Sequence, residues 1–383
     1  MSSLERLLAA KEVAICCGAG GVGKTTTAAA AAAMAAVSLG GKVLVVTVDP
    51  ARRLADALGM EDLGNVEVRV PDEAFKAAGV EPRGELWAAM LDAKQSWDEL
   101  VRRHAPDPAT VRKILDNPLY QNVSGRFAQG HEYIAMERLY EIHRSGAYDL
   151  IVVDTPPTRH ALDFLEAPDR MAEFFSSRLL RWLTAPARSR VLNLASRPFY
   201  QVADRILGSQ FLQDIAEFFL LFQTMYDGFV ERSQAVKRLV HGRRTTFIVV
   251  STLEGTPLRE AEFFDVALAD LGLHPGALVL NKVLPATLLD DGAARVAERL
   301  CADGPALAAA LGPDAGAPGP VARVLGEVGE SFLNFGVVAK REAEQRAELG
   351  TTPDVVVTVP FFDRDIYDLA GLLRLGRALW STP

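Results

Sequence analysis

Only three cysteines occur among the 383 residues, at positions 16, 17 and 301. Cys16 and Cys17 are neighbours on a predicted strand, so their side chains point to opposite faces, and no C-x-x-C spacing exists. They read as small buried residues, with a thiol metal site as the other reading. The six histidines show neither H-x-x-x-H nor H-x-x-E-H spacing, which leaves zinc catalysis without a ligand set. Long apolar runs are missing too. The longest, Ala28 to Val37, is mostly alanine and falls well short of the roughly 20 residues that cross a bilayer. The opening Met-Ser-Ser-Leu-Glu-Arg carries an early acid and lacks the parts of a signal peptide, so a cytoplasmic location is expected. Positive charge is also in deficit. A net charge of -8 argues against a nucleic-acid-binding surface.

What is present is an alternation of short β-branched runs with longer helical patterns, as in βα units around a parallel sheet. The predicted strands are Val13–Cys17, Lys42–Val48, Glu85–Leu91, Leu150–Asp154, Thr246–Ser251, Ala277–Asn281 and Val355–Val359. Most are continuous apolar runs, which suits strands covered on both faces of a doubly wound sheet. Two helix-rich gaps, 93–147 and 165–243, read as helical insertions. The Gly-, Ala- and Pro-rich stretch 303–320 reads as a flexible linker, followed by a long helix over Val321–Leu349.

One motif is complete. Gly18-Ala19-Gly20-Gly21-Val22-Gly23-Lys24-Thr25 matches the phosphate-loop pattern G-x-x-x-x-G-K-[ST], with a strand before it and a helix after it. Glycines let backbone N–H groups turn toward phosphates, and the helix N-terminus favours the anion. Lys24 then offers charge to the β and γ phosphates, and Thr25 a hydroxyl to Mg²⁺. The chain is therefore expected to form a single α/β P-loop ATPase domain over 1–383, with ATP and Mg²⁺ as cofactors. ATP is favoured over GTP because Asn281-Lys282-Val283-Leu284 lacks the aspartate of a guanine-reading N-K-x-D.

Two acids follow predicted strands. Asp49 opens Asp49-Pro50-Ala51-Arg52-Arg53-Leu54, where it either orients the attacking water or caps a helix with Pro50 at its first position. Asp154 ends Leu150–Val153 and opens Asp154-Thr155-Pro156-Pro157-Thr158-Arg159-His160, a strand-terminal carboxylate suited to Mg²⁺.

At these residues the chain resembles the anion-transporting, ArsA-like ATPase family. The family marks G-K-G-G-V-G-K-T-T, T-D-P-A-H-x-L and D-T-A-P-T-G-H-T-L-R-F-L stand here as Gly18–Thr26, Val48–Leu54 and Asp154–Leu165. The resemblance implies Asp49 as the water-activating residue of switch I and Asp154 to His160 as switch II. It implies Gly20 to Thr26 as phosphate contacts, Asn281 as an adenine contact, and Pro360-Phe361-Phe362 as an adenine-side loop. It also implies a dimer. Family members carry lysine where this chain has Ala19, and that lysine reaches the partner's nucleotide. The departure points to a heterodimer with a paralogous ATPase that keeps the lysine. Arg159 replaces a usual glycine, and both a solvent-facing role and a compensating charge stand for it.

The insertion 165–243 carries Arg178, Arg181, Arg188, Arg190 and Arg197 among apolar residues, then Phe211, Ile215, Phe218, Phe222, Met225 and Phe229 at helical spacing. These patterns suit a packed helical subdomain with a basic solvated face. They also suit a surface for an anionic membrane or an apolar client. Three functions follow: ATP hydrolysis coupled to dimer rearrangement, an ATP-switched client- or membrane-binding module, and a metalloid-export subunit. The last has little thiol support.

Overall fold

A computed structural model describes residues 3–48, 53–60, 63–124, 128–156, 165–167, 170, 173, 220–221, 225–273, 275–349 and 353–381. Its centre is an eight-stranded sheet: β1 (Val13–Gly18), β2 (Lys42–Thr47), β3 (Val68–Arg69), β4 (Glu85–Met90), β5 (Leu150–Asp154), β6 (Thr245–Ser251), β7 (Pro275–Val283) and β8 (Val355–Pro360). The spatial order is β3-β4-β2-β5-β1-β6-β7-β8, parallel except for the β3–β4 pair. All seven expected strands form. The eighth, β3, is only two exposed residues long and has too little apolar pattern to be read in advance.

Strand position explains the burial patterns. The central strands β1, β5 and β6 are buried at every residue. The edge strand β8 alternates, because one face of it is only partly covered. Successive residues of β1 enter different cores: Ala14 and Cys16 join one apolar layer, and Val13, Ile15 and Cys17 the other. The two cysteines therefore lie on opposite faces of the sheet.

The first layer is built around the helix Lys24–Ser38, whose run Thr27–Ala36 is buried throughout. Alanine supports the helix without side-chain entropy loss and lets the neighbouring elements come close. The C-terminal helix Leu369–Trp380 crosses it at Gly376, where an added Cβ would stand 2.0 Å from Met34 Cγ and 3.1 Å from the Ala30 carbonyl oxygen. A third cluster joins the helices after β4 to the helix Tyr226–Val240 after β5. Trp97, Tyr133 and Phe229 meet there with ring centroids 5.8–6.2 Å apart.

The expected linker at 303–320 is replaced by ordered structure. Gly304–Leu311 is a helix, Pro313–Ala315 a 3₁₀ turn, and the long helix begins at Pro318 and runs to Glu348. Proline falls in the first turn of both helices, where its missing N–H costs nothing. Composition alone made these positions resemble a linker.

Because the strands are parallel, the C-terminal ends of β1, β2, β5, β6, β7 and β8 open on one edge of the sheet. Ligands of open α/β sheets bind at such an edge.

Candidate functional site

The loop after β1 carries two left-handed residues, Gly21 with φ +81° and Gly23 with φ +93°. At Gly23 a side chain is excluded twice over, by the backbone conformation and by Asn281 Nδ2, 2.5 Å from where a Cβ would sit. The next residue, Lys24, begins a helix that has no side-chain cap and no acid in its first turn. The helix's N-terminal amides and dipole therefore favour an anion. Lys24 is buried at 8% exposure, and its Nζ donates to the Ala19 carbonyl at 2.8 Å. Thr25 and Thr26 are half-buried beside it.

Asp154, fully buried, ends β5. Its Oδ2 accepts from Thr47 Oγ1 at 2.9 Å, a bond between the last residues of two adjacent strands. Thr155 anchors the following turn to β1 by donating from both N and Oγ1 to the Cys16 carbonyl, at 3.2 and 2.8 Å.

Across the loop, the ends of β7 and β8 form the other wall. Asn281 is 8% exposed, donates from Nδ2 to the Val22 carbonyl at 2.7 Å and accepts from the Lys282 N–H at Oδ1. Pairing with β8 shifts register between Leu280 and Val283, and Phe361 N donates to the Val283 carbonyl at 2.8 Å. Phe361 is exposed, while the Phe362 ring lies 5.1 Å from the Arg374 guanidinium.

These walls enclose a cavity of about 470 Å³. Within it lie Gly20, Gly21, Gly23, Lys24, Thr25, Thr26, Asn281, Pro360 and Phe361, nine of the residues singled out above from sequence. Val22 stands apart, its side chain buried in the core and its carbonyl held by Asn281. Asp154 does not line the cavity, although its neighbour Thr155 does. Asp49 and the residues Thr158, Arg159 and His160 lie outside the described residues, as does most of 165–243.

Lys282, Arg53 and Arg364 also line the cavity. In the sequence Lys282 belongs only to an incomplete guanine motif, and Arg364 follows the last strand without any motif. Their placement depends on how the β7 and β8 ends meet.

Two other groupings bear on metal chemistry. Burial pushes the Cys17 thiol up to about 12 and Cys16 well above the ordinary thiol value, so both are protonated at neutral pH. His104, Glu137 and Glu141 place ligand atoms within 4.8 Å of one another. Glu137 is already paired with Arg232 and Tyr133, however, and Glu141 with Arg103 and Arg138. Arg138 is shared with Glu67, so three guanidiniums balance three carboxylates there, leaving no net negative charge for a cation.

A glycine-bearing loop between a central parallel strand and a helix N-terminus without a side-chain cap, walled by the ends of neighbouring strands, defines a P-loop nucleotide-binding α/β protein. The model of one family, anion-transporting ATPase, matches residues 11–300, and the chain belongs to that family. It is an ATP-hydrolysing enzyme. Among relatives, it is 25% identical over 299 residues to ATPase GET3 of Malassezia globosa, covering 74% of this chain and 76% of that protein. It is 28% identical over 273 residues to ATPase ASNA1 homolog 1 of Paramecium tetraurelia, covering 70% and 73%. Among the described residues, no helix is long and apolar enough to cross a membrane.

Proposed function

We propose that the chain couples Mg²⁺-dependent ATP hydrolysis to a rearrangement of a dimer. The observation that carries this reading is the single cavity that joins the phosphate loop to Asn281, Pro360 and Phe361. Loop amides and Lys24 hold the phosphates, and positioning with charge stabilisation supplies most of the catalysis in such reactions. The donors near the loop are hard oxygens, the Thr25 hydroxyl and the Asp154 carboxylate, which fit Mg²⁺. Mg²⁺ held there would supply positive charge against the negative charge that develops on the phosphates. Asp154 does not itself line the cavity, so its carboxylate would hold the ion indirectly, as a buried acceptor beside the loop. Asp49 orients the attacking water.

Asn281 also supports adenine over guanine. One N–H of its amide is used on Val22 and one Oδ1 site on the Lys282 N–H. A donor and an acceptor remain. Adenine presents the complementary N7 acceptor and N6 donor, whereas guanine presents two acceptors, N7 and O6.

Ala19 brings no cation to a partner's nucleotide, which supports a heterodimer with a paralogue bearing lysine at that position. Without that partner the chain acts as an ATP-switched module with slow turnover, its client or membrane contact made through 165–243. Metalloid export is disfavoured, since Cys16 and Cys17 lie on opposite sheet faces and cannot share an ion.

Phosphate release and ATP binding, measured on Lys24→Ala and Asp49→Asn, test the site. Lys24→Ala is expected to abolish turnover and Asp49→Asn to spare binding; turnover surviving Lys24→Ala would sink the assignment. Sedimentation with ATP, alone and with a lysine-bearing paralogue, tests the dimer. Fast turnover by the chain alone, unchanged in Arg159→Ala, would overturn the heterodimer.

A further inference from the structure

Among the described residues, Lys282 is the only non-glycine residue with positive φ, at 59°. Left-handed backbone suits glycine or asparagine, and a long side chain held there marks a position where the side chain has a task. The register shift between Leu280 and Val283 accompanies this conformation, and Lys282 lines the nucleotide cavity with its Nζ 3.2 Å from the Gly21 carbonyl oxygen. The preceding residue, Asn281, holds the next loop carbonyl, Val22. Two successive side chains thus grip two successive carbonyls of the phosphate loop. A carbonyl leaves most of an ammonium's charge uncompensated, because Lys Nζ has three donors and the bond to Gly21 uses one. Lys24, the other lysine of the cavity, is buried and offers one positive charge to a ligand that carries several negative ones.

We propose that Lys282 is a phosphate-recognition residue: fixed by the strained turn at the end of β7, its ammonium bridges the Gly21 carbonyl and the polyphosphate of the bound nucleotide. The charge comes from the same chain as the loop. The proposal rests on the nucleotide reading of this cavity and extends it to a residue outside the phosphate-loop motif. Arg53 and Arg364 also line the cavity and, like Lys282, are exposed, but neither has a bond that fixes its guanidinium against the loop. Lys282 alone combines charge, a set backbone and an anchor.

The test is Mg-ATP affinity by calorimetry for the full chain and for Lys282→Met, Lys282→Gly, Lys282→Arg and Lys24→Ala, at low and high salt. Methionine keeps the length without the charge, and glycine relaxes the backbone as well. Both are expected to weaken binding about tenfold at low salt, while arginine keeps most of the affinity. The deficit should shrink as salt rises, since a partly exposed charge is screened. A role confined to holding the loop through the Gly21 carbonyl would instead give a salt-independent deficit in both variants, and that result overturns the proposal. So does unchanged affinity in both variants. If Lys24→Ala also binds as tightly as the parent chain, the nucleotide reading fails; if only the Lys282 variants do, this inference alone fails.

Discussion

Thr47 Oγ1 donates a 2.9 Å hydrogen bond to Asp154 Oδ2, joining the last residues of two neighbouring parallel strands beneath the surface of the protein. The bond sets the direction of a buried carboxylate, and with it the acid proposed to act on Mg²⁺. Thr47→Val keeps the volume and removes the donor. The chain should lose roughly 1–3 kcal/mol of stability, the cost of an unmet buried hydrogen-bonding group, and should need more Mg²⁺ for half-maximal turnover. Urea unfolding and an Mg²⁺ titration check both. An unchanged Mg²⁺ requirement would remove Asp154 from the metal site.

Asn281→Ala removes the remaining amide donor and acceptor together with the bond to Val22. The preference for ATP over GTP should fall by about tenfold or more, since a paired amide–adenine contact contributes about 1–3 kcal/mol of discrimination. Competition binding with both nucleotides measures the ratio. A ratio that stays put would mean that the base is read elsewhere.

Gly376→Ala places a methyl against Met34 Cγ and the Ala30 carbonyl, at the crossing of the first and last long helices of the sheet's alanine-rich face. Overpacking there should cost about 1–3 kcal/mol. Combining it with Met34→Ala should recover part of the loss, because the closest clash disappears while the 3.1 Å approach to the Ala30 oxygen remains. Chemical denaturation of the two single variants and the double variant supplies the cycle; strict additivity would contradict the packing described.

His104 gives the pH dependence. Burial, then the nearby Arg232, lower its pKa from the ordinary value of 6.5, with Glu141 opposing and Arg103 and Arg144 adding to the effect. The unfolded chain therefore takes up this proton at higher pH than the folded one. Stability contributed by neutral His104 is full above 6.5 and declines as pH falls through that value toward the lower folded pKa. Thermal melts between neutral and mildly acidic pH should show a decline that His104→Gln reduces. Identical slopes for the two proteins would count against the assignment.

The phosphate loop was legible because each of its requirements is local. A tight turn needs Gly21 and Gly23, the proposed phosphate contact needs Lys24, and the proposed metal contact needs Thr25, all within one strand–loop–helix unit. The seven apolar runs were legible for a similar reason, since continuous burial leaves a continuous apolar signature. Two exposed residues, Val68 and Arg69, carried no such signature. The stretch 303–320 was misread because glycine, alanine and proline serve a linker and a helix start equally well, and the choice was made by packing on the long helix Pro318–Glu348.

By itself, then, the sequence determined the parallel α/β architecture, the glycine-bearing loop after the first strand and the family to which its motifs belong, because these depend on short-range geometry and hydrophobic pattern. Tertiary structure alone decided that Asn281 and Lys282 grip the carbonyls of Val22 and Gly21 across 259 and 261 positions of chain. It also set Asp154 behind the cavity wall with Thr47, and Lys282 and Arg364 on its lining. Such contacts arise where parallel strands end side by side, and the order in which strands pair is a property of the folded sheet that no local run of residues encodes.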